Sequence, residues 1–216
     1  MGDRCGTTSF FAPPDCWREN YVQLPEEEAR HAAGVLRVET GTEIAVVDGA
    51  GGWFRVRVEE VGENRLAGRA IEHREEVGEP PYRLSLEMAL LKKRSRLETL
   101  LEKAVELGVA SIVPLRSRHV ETDRFRSERA RRVMIAALKQ CRRSRLPELS
   151  SLRTLEAHLE DPPDGLRLVA TQMKEGTEEG TAEDVPPLRR VLPEEVPERL
   201  RILIGPEGGL HEEEVA

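Results

Sequence analysis

The chain has 216 residues, enough for one large or two small domains, and 38% of them are hydrophobic, enough to bury a core. Its net charge is −7 with 34% of residues charged, no apolar run approaches the ~18 residues of a membrane-spanning helix, and no basic-then-apolar leader opens it. Three cysteines (Cys5, Cys16, Cys141) without C-x-x-C spacing and five scattered histidines argue against a disulfide framework or a metal centre, and for a reduced, cytoplasmic protein.

Residues 1–20 contain Pro and Gly and read as loop, with an edge strand around Ser9–Ala12. Glu26–Leu36 reads as a helix, because Ala29, Ala32, Ala33 and Leu36 recur at helical spacing behind Pro25. Three strands follow. Glu43–Val47 ends at the turn dipeptide Asp48-Gly49, Trp53–Val58 alternates, and Arg65–Ile71 comes after Gly62-Glu63-Asn64. Short strands with tight turns predict a small β-barrel over residues 1–78. Glu75–Pro81 reads as a linker, and a second domain spans residues 82–216.

In that second part Leu84–Leu90 predicts a strand and Ser95–Leu107 a helix, with Ser95 and Glu98 at capping-box spacing and Gly108 as its stop. Ala110–Leu115 is an apolar strand. Ser127 caps a helix whose buried stripe is Ala130, Val133, Met134, Ala137, Leu138 and Cys141, and whose other face carries Arg129, Arg131, Arg132, Lys139, Arg142 and Arg143. Leu166–Thr171 and Leu200–Ile204 complete the strands, and Met173–Pro187, rich in Glu, Gly and Thr, reads as mobile. Strands alternating with helices predict an α/β domain with a mostly parallel sheet, which binds ligands at the carboxyl ends of its strands. Thr171, Gln172 and Gly205 stand at such ends.

Two features carry chemistry. Between Lys92 and Arg145 there are 16 basic and 6 acidic residues, a local charge of +10 in an acidic chain. That island is the footprint of a phosphate-binding face, although solvated helix faces give the same pattern. The second is Ile202-Leu-Ile-Gly-Pro-Glu-Gly-Gly-Leu210, an apolar strand running into a glycine turn and then an acidic segment that can start a helix. Such a turn lets backbone N–H groups approach a ligand closely. It lacks the Gly-Lys-Ser/Thr of a Walker loop and the Gly-x-Gly-x-x-Gly of a dinucleotide site. An ordinary tight turn is the competing reading.

Five stretches taken together resemble the ribosomal RNA small-subunit methyltransferase E family, uridine-N3 methyltransferases of the SPOUT superfamily. They are His31-x-x-x-Val35-Leu36-Arg37, Asp48-Gly49, Lys103–Val109, Gln140–Pro147 and Ile204–Leu210, in family order. The resemblance implies a PUA-like RNA-binding β-barrel followed by a SPOUT α/β domain with a C-terminal trefoil knot. It also implies a further strand, loop and helix, beyond Ala216, that complete the knot and the cofactor pocket. Departures from the family pattern are Ser9 where an Arg precedes the two aromatics, Lys139 where a Glu is common, and His211 where Ser or Thr is usual.

The resemblance implies S-adenosylmethionine as cofactor, held by Thr171, Gln172, Ile204, Gly205, Pro206, Glu207, Gly208 and Gly209. It implies ribosomal RNA of the small subunit as substrate, and a homodimer with no metal and no membrane partner. Arg143 and Arg145 match arginines near the reacting base and are the catalytic candidates, with a solvated helix end as the alternative. Arg37, Lys93, Arg96, Arg131, Arg132 and Arg142 are the RNA-contact candidates. For Glu207 and Glu106 a structural role is favoured, and His31 reads as part of the barrel. Two alternatives stay open: a SPOUT enzyme acting on another RNA position, and a non-catalytic RNA-binding protein.

Overall fold

The computed structural model describes residues 9–118, 124–161, 165–170, 188–193, 195, 197–206, 208–210 and 214. The chain forms two compact units. One comprises Met1–Glu79, Leu101–Gly108 and Glu128–Pro147; the other comprises Pro80–Leu100, Val109–Ser127 and Glu148–Ala216.

The first unit is built on a curled six-stranded sheet. Its strands are β1 (Phe10–Phe11), β2 (Trp17–Arg18), β3 (Tyr21–Gln23), β4 (Glu43–Val47), β5 (Gly52–Val61) and β6 (Leu66–Glu75), in the order β1-β4-β5-β6-β3-β2. β1 runs parallel to β4 and the other pairs are antiparallel. Register shifts at Arg55/Val56 and Val58/Glu60 bend the long β5–β6 hairpin, as bulges do. Alternation sends Ile44, Val46, Val56, Val58 and Leu66 into one core with Phe10, Val22 and Leu24. Helix α1 (Glu26–Gly34) adds Ala29 and Ala32 to that core, small residues that allow close approach.

The 43–47 strand is as expected, and the other two barrel strands are longer than expected. β2 and a short 3-10 turn at Pro14–Cys16 fall where loop was expected, and β3 lies just after that stretch, where no element was expected. Two-residue strands carry too little alternation to be read from sequence. The expected linker at 75–81 is a correction. β6 runs through Glu75, and Val77 O accepts the Ser144 N–H at 3.0 Å, so residues 75–79 are built into the first unit and the chain passes to the second at Pro80.

The second unit holds a parallel sheet of β7 (Arg83–Ala89), β8 (Val109–Arg116), β9 (Glu148–Leu149), β10 (Arg153–Thr154), β11 (Leu166–Ala170) and β12 (Arg199–Ile204). The order is β10-β8-β7-β12-β11, with β9 also beside β8, and every pair is parallel. Helix α4 (Leu155–Leu159) starts at an N-cap Thr154 that accepts the Ala157 N–H at 3.2 Å, and its Leu155 packs with Val113, Leu115 and Leu203.

Three helices complete the described elements: α2 (Arg94–Glu106), α3 (Ser127–Cys141) and α5 (Leu188–Val191). α2 stops at Gly108 (φ +90°), the expected glycine terminus. Its start is a correction. Lys93 O accepts the Arg96 and Leu97 N–H groups, so Ser95 lies inside the first turn rather than at the cap. Arg94 and Glu98 form an i,i+4 pair at 3.0 Å instead of the capping box. On α3 the buried residues are Ala130, Met134, Ala137 and Leu138, the expected stripe without Val133 and Cys141, which are half-buried. The segment 173–187, expected to be mobile, lies outside the described residues.

Candidate functional site

The carboxyl ends of the parallel strands form one edge. Register sets Ile204 level with Met88 on one side and Ala170 on the other. Chain order reverses there: β7 leads to β8 in one direction, whereas β12 returns from β11 to lie against β7. In open α/β sheets such a switch point leaves a crevice, because successive connections leave on opposite faces.

The glycine turn emerges at this point. Gly209, at φ +77°, donates its N–H to Pro206 O at 2.9 Å and closes the turn. A Cβ on Gly205 would stand 3.0 Å from Leu210 Cγ and 3.2 Å from Leu210 N, so the backbone folds back tightly there. Leu210 in turn packs on the Val113, Leu115, Leu155 and Leu203 cluster and anchors the turn to the sheet. At Gly208 and Gly209, unlike Gly205, no heavy atom of the described residues lies within 4 Å of the absent Cβ. Thr171, Gln172 and Glu207 lie outside the described residues.

Below the turn is a buried charge cluster that sequence reasoning missed. Glu87 of β7 is fully buried. His158 Nε2 is 3.0 Å from its Oε1, Arg201 Nε bonds the same oxygen, and Arg167 Nε lies 3.3 Å from Oε2. Burial pushes the Glu87 carboxyl up, but the His158 hydrogen bond and the charges of His158, Arg201 and Arg167 outweigh it and hold the group below the usual carboxylate range. The signal was available only as two scattered arginines, a histidine and one Glu inside an apolar strand.

The Gln140–Pro147 stretch belongs to the first unit, and its arginines divide. Arg143 is buried, with a side chain 3% exposed. Its Nε and Nη2 donate to Glu79 Oε2 at 3.2 and 2.6 Å, and its Nη1 donates to Val105 O at 2.7 Å. The other Glu79 oxygen accepts the Ser144 and Arg145 N–H groups at 3.1 and 2.9 Å. Gly51 N donates to Ser144 O, and Leu146 N donates to Gly49 O, so residues 144–146 are stitched along the 49–51 turn. This corrects the expectation of Arg143 at a reacting base: its donors are directed into the protein and hold this seam. Arg145 is exposed and pairs with Glu76, whose hydrogen bond is the main reason its guanidinium is held charged more firmly than usual.

Of the RNA-contact candidates, Arg131 and Arg132 lie exposed on α3, and Arg142 just beyond it is exposed at φ +61°. Arg37 is exposed in the loop after α1 at φ +51°. These four and Arg145 belong to the first unit, whereas exposed Lys93 and Arg96, at the start of α2, belong to the second. The departures at Ser9 and Lys139 meet each other: Ser9 N donates to Lys139 O at 3.3 Å, and the Lys139 ammonium is 2.6 Å from Glu28. Among the described residues no three His, Cys, Asp or Glu side chains gather as metal ligands, and no helix is long and apolar enough to cross a membrane.

Residues 78–216 match the family model of an RNA methyltransferase domain, and residues 24–71 match that of an RNA methyltransferase PUA domain. The chain is 24% identical to Ribosomal RNA small subunit methyltransferase E of Rickettsia conorii over 88% of this chain and 73% of that one. It is 25% identical to the Bacillus subtilis protein of the same name, over 88% and 75%. Among solved structures, a probable rRNA-methyltransferase of Porphyromonas gingivalis superposes with a TM-score of 0.80 at 28% identity, covering 96% of this chain and 83% of that one. A Legionella pneumophila protein solved with bound SAM superposes with a TM-score of 0.76 at 26% identity, covering 97% and 84%.

Proposed function

The chain belongs to the RNA methyltransferase family, whose domain spans residues 78–216, and from that premise we propose that it methylates N3 of a uridine in small-subunit ribosomal RNA. S-adenosylmethionine is the methyl donor in this proposal, a sulfonium that supplies an electrophilic methyl group when bound. The observation that carries the reading is the turn after β12 at the switch point of the parallel sheet. Among the described residues nothing stands within 4 Å of where a side chain on Gly208 or Gly209 would be, so the backbone there fits a ligand lying directly on it. Ile204, Gly205, Pro206, Gly208 and Gly209 offer backbone groups to the edge of a nucleoside, and Thr171, Gln172 and Glu207 join them in the proposal by chain position. The relatives' names support ribosomal RNA as the substrate class.

The protein's own task is orientation. Uridine N3 is hidden in a base pair, so the nucleotide must be unpaired before N3 can face the methyl group. Its proton must leave, since the neutral imide nitrogen is a weak nucleophile. Exposed Arg37, Lys93, Arg96, Arg131, Arg132, Arg142 and Arg145 serve the RNA phosphates, a task that needs charge rather than exact placement. The proposal includes a cytoplasmic homodimer and a C-terminal trefoil knot. Light scattering in solution tests the dimer.

The activity test incubates the protein with small ribosomal subunits and methyl-labelled S-adenosylmethionine, then digests the RNA to nucleosides for mass spectrometry. Label is expected in 3-methyluridine. Label in a different nucleoside would refute the N3 assignment, and RNA binding without label would favour the non-catalytic reading.

A further inference from the structure

A stack of three rings stands at one end of the curled sheet in the first unit. Trp17 of β2 lies 4.1 Å from Phe54 of β5, centroid to centroid, with the two planes tilted by 36°. Phe54 lies 4.5 Å from His73 of β6, with the two ring planes 4° apart, because cross-strand register sets them opposite one another. The inner end of the stack is fixed. The Trp17 indole N–H donates to Ala12 O at 3.0 Å, and both Trp17 and Phe54 pack on the barrel core. At the outer end, His73 is exposed. An exposed flat ring backed by two others, one of them anchored, is a preorganised stacking surface.

The surrounding backbone keeps that surface flat and supplies charge. A Cβ on Gly52 would stand 2.6 Å from Phe54 Cε2, so only glycine lets the Phe54 ring lie against the 48–52 turn. Asp48 in this turn is committed to the Ala50 and Gly52 N–H groups at 2.7 and 2.8 Å. Next along the turn, Arg145 Nη2 is 3.0 Å from where a Gly51 Cβ would be. Arg74 follows His73 on β6 and so lies on the other face of the sheet, its guanidinium 5.0 Å over the Trp53 ring. The Arg145 side chain is 45% exposed. Its carboxylate partner, Glu76, forms a surface pair of the kind that contributes little and that a phosphate can replace.

We propose that the outer face of His73 is a stacking platform for one unpaired base of the RNA, with Arg145, on the adjoining 48–52 turn, meeting a neighbouring phosphate. The inference rests on the RNA reading above and deepens it, by naming where the barrel grips the strand and requiring that strand to be single. An exposed flat ring backed by fixed rings, with a guanidinium on the adjoining turn, matches an unpaired base and its phosphate.

The test measures the affinity of a labelled ten-nucleotide single-stranded RNA and of a duplex of the same length, across a salt series, for wild type, His73→Ala and His73→Phe. His73→Ala is expected to weaken single-strand binding about tenfold, the size of one lost stack. The slope of log affinity against log salt stays unchanged, because no phosphate contact is removed. His73→Phe restores binding, and duplex binding is the same for all three proteins. Wild-type affinity in His73→Ala, or a loss that Phe fails to restore, overturns the platform and leaves the methyltransferase reading intact. Failure of the wild type to bind either RNA overturns both.

Discussion

Replacing Glu79 by Ala should be the most damaging single change in the first unit. Its carboxylate accepts four N–H groups: two from the Arg143 guanidinium and one each from the Ser144 and Arg145 backbone. The pair is buried, with side chains 3% and 7% exposed, so water cannot replace the lost acceptor. Removing one partner of a buried pair costs about 3–5 kcal/mol, because the remaining charge has no compensation. Arg143 keeps its bond to Val105 O, which places the expectation near the middle of that range, about 4 kcal/mol. Urea unfolding reads it as a midpoint lower by roughly 2 M, for a slope near 2 kcal/mol/M. A companion Arg143→Met variant, combined with Glu79→Ala, should recover part of the loss, since the double variant buries no unpaired charge. A Glu79→Ala cost below about 1 kcal/mol, the range of exposed pairs, would refute the argument that this seam is dry and essential.

Other consequences are sharper at the turn and on the basic face. Gly205→Val should lower S-adenosylmethionine affinity about tenfold in calorimetry, roughly 1.4 kcal/mol, by forcing Leu210 away from the turn. Gly208→Ala, which meets no neighbour, should leave the unfolding midpoint unchanged within about 0.5 kcal/mol. Replacing Arg131 and Arg132 together by Ala should flatten the dependence of log RNA affinity on log salt by about 1.4, or roughly 0.7 per lost phosphate contact on a single strand; an unchanged slope would move the phosphate contacts off α3. The folded-state pKa of Glu87 is depressed, so its contribution to stability is present above the ordinary glutamate pKa and is lost as pH falls through the lower, folded value. Unfolding measured from neutral to acid pH should therefore show a steeper acid loss in wild type than in Glu87→Gln, and parallel curves would disprove that link.

Local rules made much of this protein legible without a structure. Period-two runs marked 43–47 and the hairpin that follows, and helical spacing with a glycine stop marked α2 and the stripe of α3. Alternation of strand and helix implied the parallel sheet, because each of these signals depends on neighbours a few residues apart. The glycine turn was legible for the same reason, though where its Leu210 docks was not, because Leu210 packs on residues from β8, α4 and β12. Arg143 and Arg145 look alike in the sequence, two residues apart in one basic run. Tertiary structure alone separates them, because Glu79, 64 residues away, buries the first, while the second stays at the surface. The Glu87 cluster and the Trp17–Phe54–His73 stack were hidden in the same way. Each joins residues from separate strands, and neither charge pairing nor ring stacking leaves a mark in the spacing of residues along one strand.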